Sequence, residues 1–295
     1  MSTTFRCLEL TFTAEATSPA LHCLIDALYA PFAGEGAAAS HFGIVGTDRS
    51  TPTFEVHADT RCALVTTDAA LALAHLVWEI GQAVISASSD GPHLLLHAAA
   101  AERNGQAVLL PAPSHSGKST MVTGLIANGF RYLTDDVAPL DPLRKLILPY
   151  PKPISVTNWL WPLFPQLRPL RFAWHPYLGK EGFLTAGMVG ATIGEPSVPR
   201  LVVVPRYRDE GPTELTGLTA AEAVQLFVEQ SFNARTFGPR AVVALTSMVR
   251  GYSCYRLDYS DLTEAVRLVS DVLDTVVATT DPHAGIDAAR PIRTW

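Results

Sequence analysis

The chain has 295 residues, 48% of them apolar, enough for one large α/β domain or two smaller ones with a sizeable core. Its formal net charge of -6 offers no bulk attraction to phosphate backbones or anionic lipid, so neither nucleic acid nor a membrane is expected as a partner. Any phosphate site must be local. No uninterrupted apolar run approaches the roughly 18 to 20 residues that span a bilayer, and the opening MSTTFRCLEL lacks the basic flank and apolar stretch of a secretory signal, which predicts a cytoplasmic protein. Cys7, Cys23, Cys62 and Cys254 show no C-x-x-C spacing and are expected to be buried small hydrophobes, not zinc ligands or disulfides.

In chain order, residues 1–90 read as an α/β region. FRCLELTF alternates like a strand, and SPALHCLIDALYAPF has helical spacing with a Ser18-Pro19 start. HFGIVG, TFEVHA and CALVTT look like short strands, and DAALALAHLVWEIGQAVISA is a helix that Asp68 can cap. SSDGPH closes this region as a turn. Next, HLLLHAAAAERNGQAVLLPAPS places the turn signal Asn104-Gly105 between two apolar runs, which predicts a hairpin. A helix over KSTMVTGLIANG stops at Gly129, and FRYLTDDVAPLD is a short strand ending in two acids. Residues 149–199 are rich in proline and aromatics and read as a surface excursion that faces the substrate. Regularity returns with the strand RLVVVPRY, the helix TAAEAVQLFVEQSFN, the apolar stretch RAVVALTSMVRG, the strand CYRLDYS and a last helix capped by Ser260 or Asp261. The tail 281–295 has no apolar periodicity and is expected to be loose.

The strongest chemical signal is Gly117-Lys118-Ser119, between an apolar strand and a helix. That context is what a phosphate-binding loop needs. Backbone N–H groups and a helix N-terminus face the phosphates, Lys118 offsets their charge and the Ser119 hydroxyl reaches a magnesium ion. The loop opens on Ala112 where glycine is usual, and His115 is its odd member: a tolerated substitution, or a group that lies over the phosphates. Asp135-Asp136 follows at a strand end, where one carboxylate can serve the metal and the other the hydroxyl of an acceptor. His97, on an apolar strand, reads from periodicity alone as a core histidine.

The order strand-His-small-small, hairpin, S-G-K-S-T, then G-F-R-Y-L-T-D-D resembles the catalytic domain of HPr kinase/phosphorylase. LPYPKPISV, VVVPRYRDEGPTEL, VEQSFN and YRLDYSDLTEAV resemble the HPr-kinase-related proteins of bacterial gene clusters, including lasso-peptide precursor kinases. The similarity covers roughly residues 90–275. It implies an α/β fold of the HPr kinase/phosphoenolpyruvate carboxykinase type, a P-loop domain over 91–280, with a smaller N-terminal α/β region over 1–90 that recognises the acceptor. It implies ATP and Mg2+, with Ser114, His115, Ser116, Gly117, Lys118, Ser119 and Thr120 around the nucleotide phosphates. Asp135 becomes the general base, Asp136 joins Ser119 at the metal, and His97 sits near the transferring phosphoryl group. Lys152 and Arg206 match basic positions that steady acceptor or phosphate. The E-x-R-G-L-G signature of true HPr kinases/phosphorylases is absent between 140 and 200, so neither HPr nor reverse phosphorolysis is expected.

The expected function is therefore an ATP- and magnesium-dependent kinase acting on an alcohol, foremost a serine of a peptide such as a natural-product (lasso) precursor. A small-molecule hydroxyl kinase is the alternative, and a nucleotide sensor without turnover is a third reading that His115 favours. The hexamers of HPr kinases keep a homo-oligomer open.

Overall fold

The computed structural model describes residues 3–47, 52–114, 116–156, 163–164 and 182–280. His115, residues 157–162 and 165–181 of the proline and aromatic excursion, and the tail 281–295 lie outside the described residues.

The first sheet has five strands in chain order: β1 (Thr4–Cys7), β2 (Leu10–Ala16), β3 (Ser40–Thr47), β4 (Thr53–Ala58) and β5 (Arg61–Thr66). Only β2 and β3 pair in parallel. FRCLELTF, which alternates as if it were one strand, is two, because Leu8 takes a φ of 51° and turns β1 back onto β2. Helices α1 (Pro19–Tyr29) and α2 (Ala69–Ser88) pack on this sheet. The Ser18 side chain makes no cap bond, whereas Asp68 Oδ1 accepts from the N–H groups of Ala70 at 2.8 Å and Leu71 at 3.2 Å. By length and composition α2 would cross a membrane; here Leu73, Leu76, Ile80 and Val84 bury its inner face in the first sheet's core.

The second sheet runs β10 (Leu146–Ile147), β9 (Val137–Asp141), β6 (Leu94–Arg103), β7 (Gln106–Pro111), β13 (Val198–Tyr207), β15 (Ser253–Tyr259), β14 (Glu214–Gly217), and β8 (Arg131–Thr134) also pairs with β6. A separate two-stranded sheet joins β11 (Ile154–Val156) to β12 (Gly182–Leu184). Asn104 and Gly105, with φ of 55° and 76°, form the two-residue turn between β6 and β7. At the centre, β13 is parallel to both β7 and β15.

Alternation along these strands gives the sheet two buried faces. Ala99, Val108, Leu201, Val203 and Leu257 face α3 (Lys118–Ala127) and α7 (Leu262–Thr280). Leu96, Leu109, Val202 and Cys254 face α4 (Ala220–Glu229) and α6 (Pro239–Val249), with the single turn α5 (Ala234–Phe237) between those two helices. Asp261, rather than Ser260, caps α7, accepting from Glu264 N–H at 2.8 Å. The cysteines depart from expectation: Cys7 and Cys254 are buried, but Cys23 and Cys62 are surface thiols, and all four are free. Leu95, Val137, Tyr150 and Phe183, from the second part of the chain, belong to the core of the first sheet, where the Phe32 and Tyr150 rings lie 5.5 Å apart.

Candidate functional site

The loop 112–117 leads from β7 into α3, with Gly117 at the helix N-cap in the left-handed region at φ 98°. A Cβ on Gly117 would fall on the Tyr259 hydroxyl, so glycine is required by both backbone and neighbour. Ser114 is exposed; Ser116, Ser119 and Thr120 are half-buried, and the Ser116 hydroxyl is buried with no hydrogen-bond partner among the described residues. Lys118 is buried beneath the loop. Its Nζ donates to the carbonyls of Ala112 and of Pro113, the latter at 3.0 Å, and lies 3.2 Å from His97 Nε2. Burial lowers its affinity for a proton, and the charges of Asp136 and Asp135 restore part of it.

The acids arrive by an interruption in strand pairing. β8 pairs with Ala100–Glu102 and β9 with Leu94–His97, so both lie along one edge of β6. Asp135 and Asp136 are the irregular step between them, closed by the Ala98 N–H donating to the Asp136 carbonyl at 3.1 Å. FRYLTDDVAPLD thus continues as strand beyond its acids instead of ending there. A break of this kind re-aims side chains that regular alternation would send to opposite faces.

Asp136 is the hub. Its Oδ1 is 3.1 Å from His97 Nε2 and its Oδ2 is 3.3 Å from Lys152 Nζ. Burial pushes its carboxyl up, but Lys152, the hydrogen bond and charge of His97, and Lys118 together hold it well below the usual carboxylate range. A proton on His97 Nε2 serves Asp136; without it, Nε2 can accept from Lys118. Asp135 is buried. Its Oδ2 accepts from Ser155 N–H at 3.1 Å, while Oδ1 has no hydrogen-bond partner among the described residues. Burial raises this carboxyl; Lys152 pulls it down, the neighbouring Asp136 charge pushes it up, and the Ser119 hydroxyl and Ser155 N–H oppose the rise without reversing it.

The sequence-derived residues His97, Lys118, Ser119, Asp135, Asp136 and Lys152 thus converge from four separate segments. Arg206 does not join them. It sits on the opposite face of β13 from Tyr207 and donates from Nε and Nη2, one edge of its guanidinium, to the two carboxylate oxygens of Asp258, to which Arg208 Nε also donates at 3.0 Å.

Gln230 is a residue that sequence reading does not single out. Its Oε1 lies 3.1 Å from His97 Nδ1, and its carbonyl accepts from the His97 N–H at 2.6 Å. Next to it, the Phe232 ring lies 5.4 Å from the imidazole, and the buried Asn233 accepts from Leu95 N–H at 2.9 Å. The segment VEQSFN therefore extends the sheet beside the first half of β6 and fixes the ring of His97. In the sequence the segment stands out by its resemblance to HPr-kinase-related proteins and by polar residues directly after an amphipathic helix, neither of which singles out Gln230.

No protein-family model matches the chain, and no curated protein matches it. Among solved structures, it is similar to the Hpr(Ser) kinase/phosphatase from Coxiella burnetii, at 11% identity and a TM-score of 0.32, over 63% of this chain and 97% of that one.

Proposed function

We propose that the chain is an ATP- and magnesium-dependent kinase that moves a γ-phosphoryl group onto a hydroxyl, with a peptide serine as the acceptor. The observation that carries this reading is the cluster in which Lys118, at the N-terminus of α3, lies 3.2 Å from His97, and His97 lies 3.1 Å from the carboxylate of Asp136. A helix N-terminus with a buried lysine suits a polyphosphate. Carboxylates at the same place suit an alcohol. The sequence resemblance to lasso-peptide precursor kinases supports a peptide as acceptor.

The residues also fit magnesium. The Ser119 hydroxyl and two carboxylates are hard oxygen donors, and Asp135 Oδ1 is buried without a hydrogen-bond partner among the described residues. Ser119 and Asp136 would hold the ion, which when bound offsets charge on the phosphate oxygens. Lys118 and the N–H groups of the first turn of α3 bind and orient the phosphates. His97 keeps Asp136 in place. Asp135 accepts the proton of the acceptor hydroxyl as its oxygen bonds to the γ-phosphorus. The bond from that phosphorus to the β–γ bridging oxygen breaks, and ADP leaves with the electron pair.

A second division of labour rests on exposure: the Asp136 side chain is 40% exposed, whereas Asp135 is buried. In that version Asp136 meets the hydroxyl, and Asp135 joins Ser119 at the metal. Asp135→Asn and Asp136→Asn separate the two. In the first version Asp135→Asn cuts transfer from labelled ATP by about 10² to 10⁴ with MgATP affinity nearly intact, while Asp136→Asn raises the magnesium needed. The mirror-image result selects the second. Full transfer by both variants would refute both versions, and MgATP binding by the wild-type protein without transfer to any peptide or small alcohol would make the protein a sensor.

A further inference from the structure

A groove of about 160 Å³ runs from Asp136 and Lys152 along the outer flank of α2. Val77, Trp78 and Gly81 form its α2 wall, and Tyr150 and Phe183 stand across from them. Trp78 is 55% exposed, unusual for the largest apolar side chain on a helix whose inner face is so fully buried.

Gly81 is the informative residue. Glycine inside a helix costs about 1 kcal/mol relative to alanine, so it needs a reason. Its φ is not positive, so backbone geometry does not demand it. Among the described residues nothing lies within 4 Å of where its Cβ would be, so their packing does not demand it either. A side chain at this position would instead project into the groove. The glycine keeps the groove open.

The size of the groove then selects its occupant. Pockets that enclose a whole small ligand hold about 300 to 1,000 Å³; this one holds about 160 Å³. It admits one side chain, with the rest of the molecule outside; Val77, Trp78, Ile85, Tyr150 and Phe183 give it apolar walls, and Gln82, Asp136, Lys152 and Ser155 its polar lining.

Resting on the kinase reading above, we propose that this groove is the acceptor subsite, and that it takes the apolar side chain of a residue adjacent to the phosphorylated serine of a peptide. α2, from the N-terminal region, thereby sets acceptor specificity, and a free small-molecule alcohol is disfavoured because it leaves the apolar walls bare.

The test uses the full chain and labelled peptides Gly-Gly-X-Ser-Gly-Gly, with X as leucine, phenylalanine, glycine or aspartate. Binding is read by fluorescence anisotropy, and transfer from labelled MgATP is read in parallel. Leucine and phenylalanine peptides are expected to bind, and to react with kcat/KM about tenfold or more above the others. Gly81→Leu should erase that advantage and leave MgATP affinity within about twofold, since it fills the groove without touching the loop. Gly81→Ala, which adds one methyl to a helix, should keep most of it and shows that folding tolerates the position. The groove assignment is overturned if Gly81→Leu retains the preference, if X makes no difference, or if no peptide binds while small alcohols are phosphorylated. Peptides that bind selectively but are never phosphorylated would uphold the groove and overturn the kinase reading.

Discussion

Arg206 and Arg208 converge on the carboxylate of Asp258, and the hydrogen bond from Arg206, followed by that from Arg208, holds it below the ordinary value. A carboxyl lowered on folding adds stability that is complete above its unfolded pKa and disappears as pH falls through the folded one. Because the arginines are half exposed, the contribution is about 1 kcal/mol or less. Asp258→Asn should therefore lower the urea midpoint at neutral pH, and the gap between variant and wild type should be smaller at pH 3, below the ordinary carboxyl value, than at neutral pH. An equal gap at both pH values would show that packing, not charge, is at stake. The same residue scale shows what a sequence can reveal of a site. Lys118 and the acid pair carry their chemistry in short local patterns. His97 does not: on an apolar strand it reads as a core residue, and its role depends on Gln230, 133 positions away, and on a break in strand pairing that places Asp136 beside it. Arg206, which matches a basic position of the resembling kinases, is committed to Asp258 on the far face of its strand.

Among the elements, the crossing of α3 and α7 is tightly specified. A methyl on Gly124 of α3 would lie 2.7 Å from Val266 Cγ2 and 3.2 Å from Leu262 Cδ1, both on α7. Overpacking of this kind costs about 1 to 3 kcal/mol, against a gain of about 1 kcal/mol from replacing a helical glycine. Gly124→Ala is expected to be destabilised by about 1 kcal/mol in urea titrations; equal or higher stability would mean that the two helices can move apart freely. Elements with clean periodicity and caps were readable in advance: α2 begins where Asp68 caps it, and β6 and β7 meet at Asn104-Gly105. RAVVALTSMVRG stayed ambiguous because Val242 and Val243 add β-branched apolar character on what proves to be the exposed side of α6. Its buried residues, Ala241, Leu245, Met248 and Val249, keep helical spacing, but the surface valines hide it.

At the scale of the whole molecule, the cores of the two sheets are not separable. Leu95, Val137, Tyr150 and Phe183 are supplied by the second part of the chain to the core of the first sheet, which composition and turn signals around residue 90 cannot reveal. Unfolding followed by intrinsic fluorescence and by far-ultraviolet circular dichroism should therefore give one coincident transition. Two resolved transitions would mean that the shared residues do not couple the sheets. The parallel centre of the second sheet has a separate consequence for how the protein comes into being. β7 is paired by β13, where Val202 lies beside Leu109 about ninety residues later in the chain, and β13 is itself paired by β15 later still. At a synthesis rate of about 5 to 20 residues per second, the emerging chain carries the loop before α3 on an uncovered strand edge for several seconds. Tyr259, against which Gly117 packs, lies on β15, the last strand of the described residues to be made. The nascent protein is thus exposed to aggregation while the loop before α3 is already synthesised but has nothing to rest on.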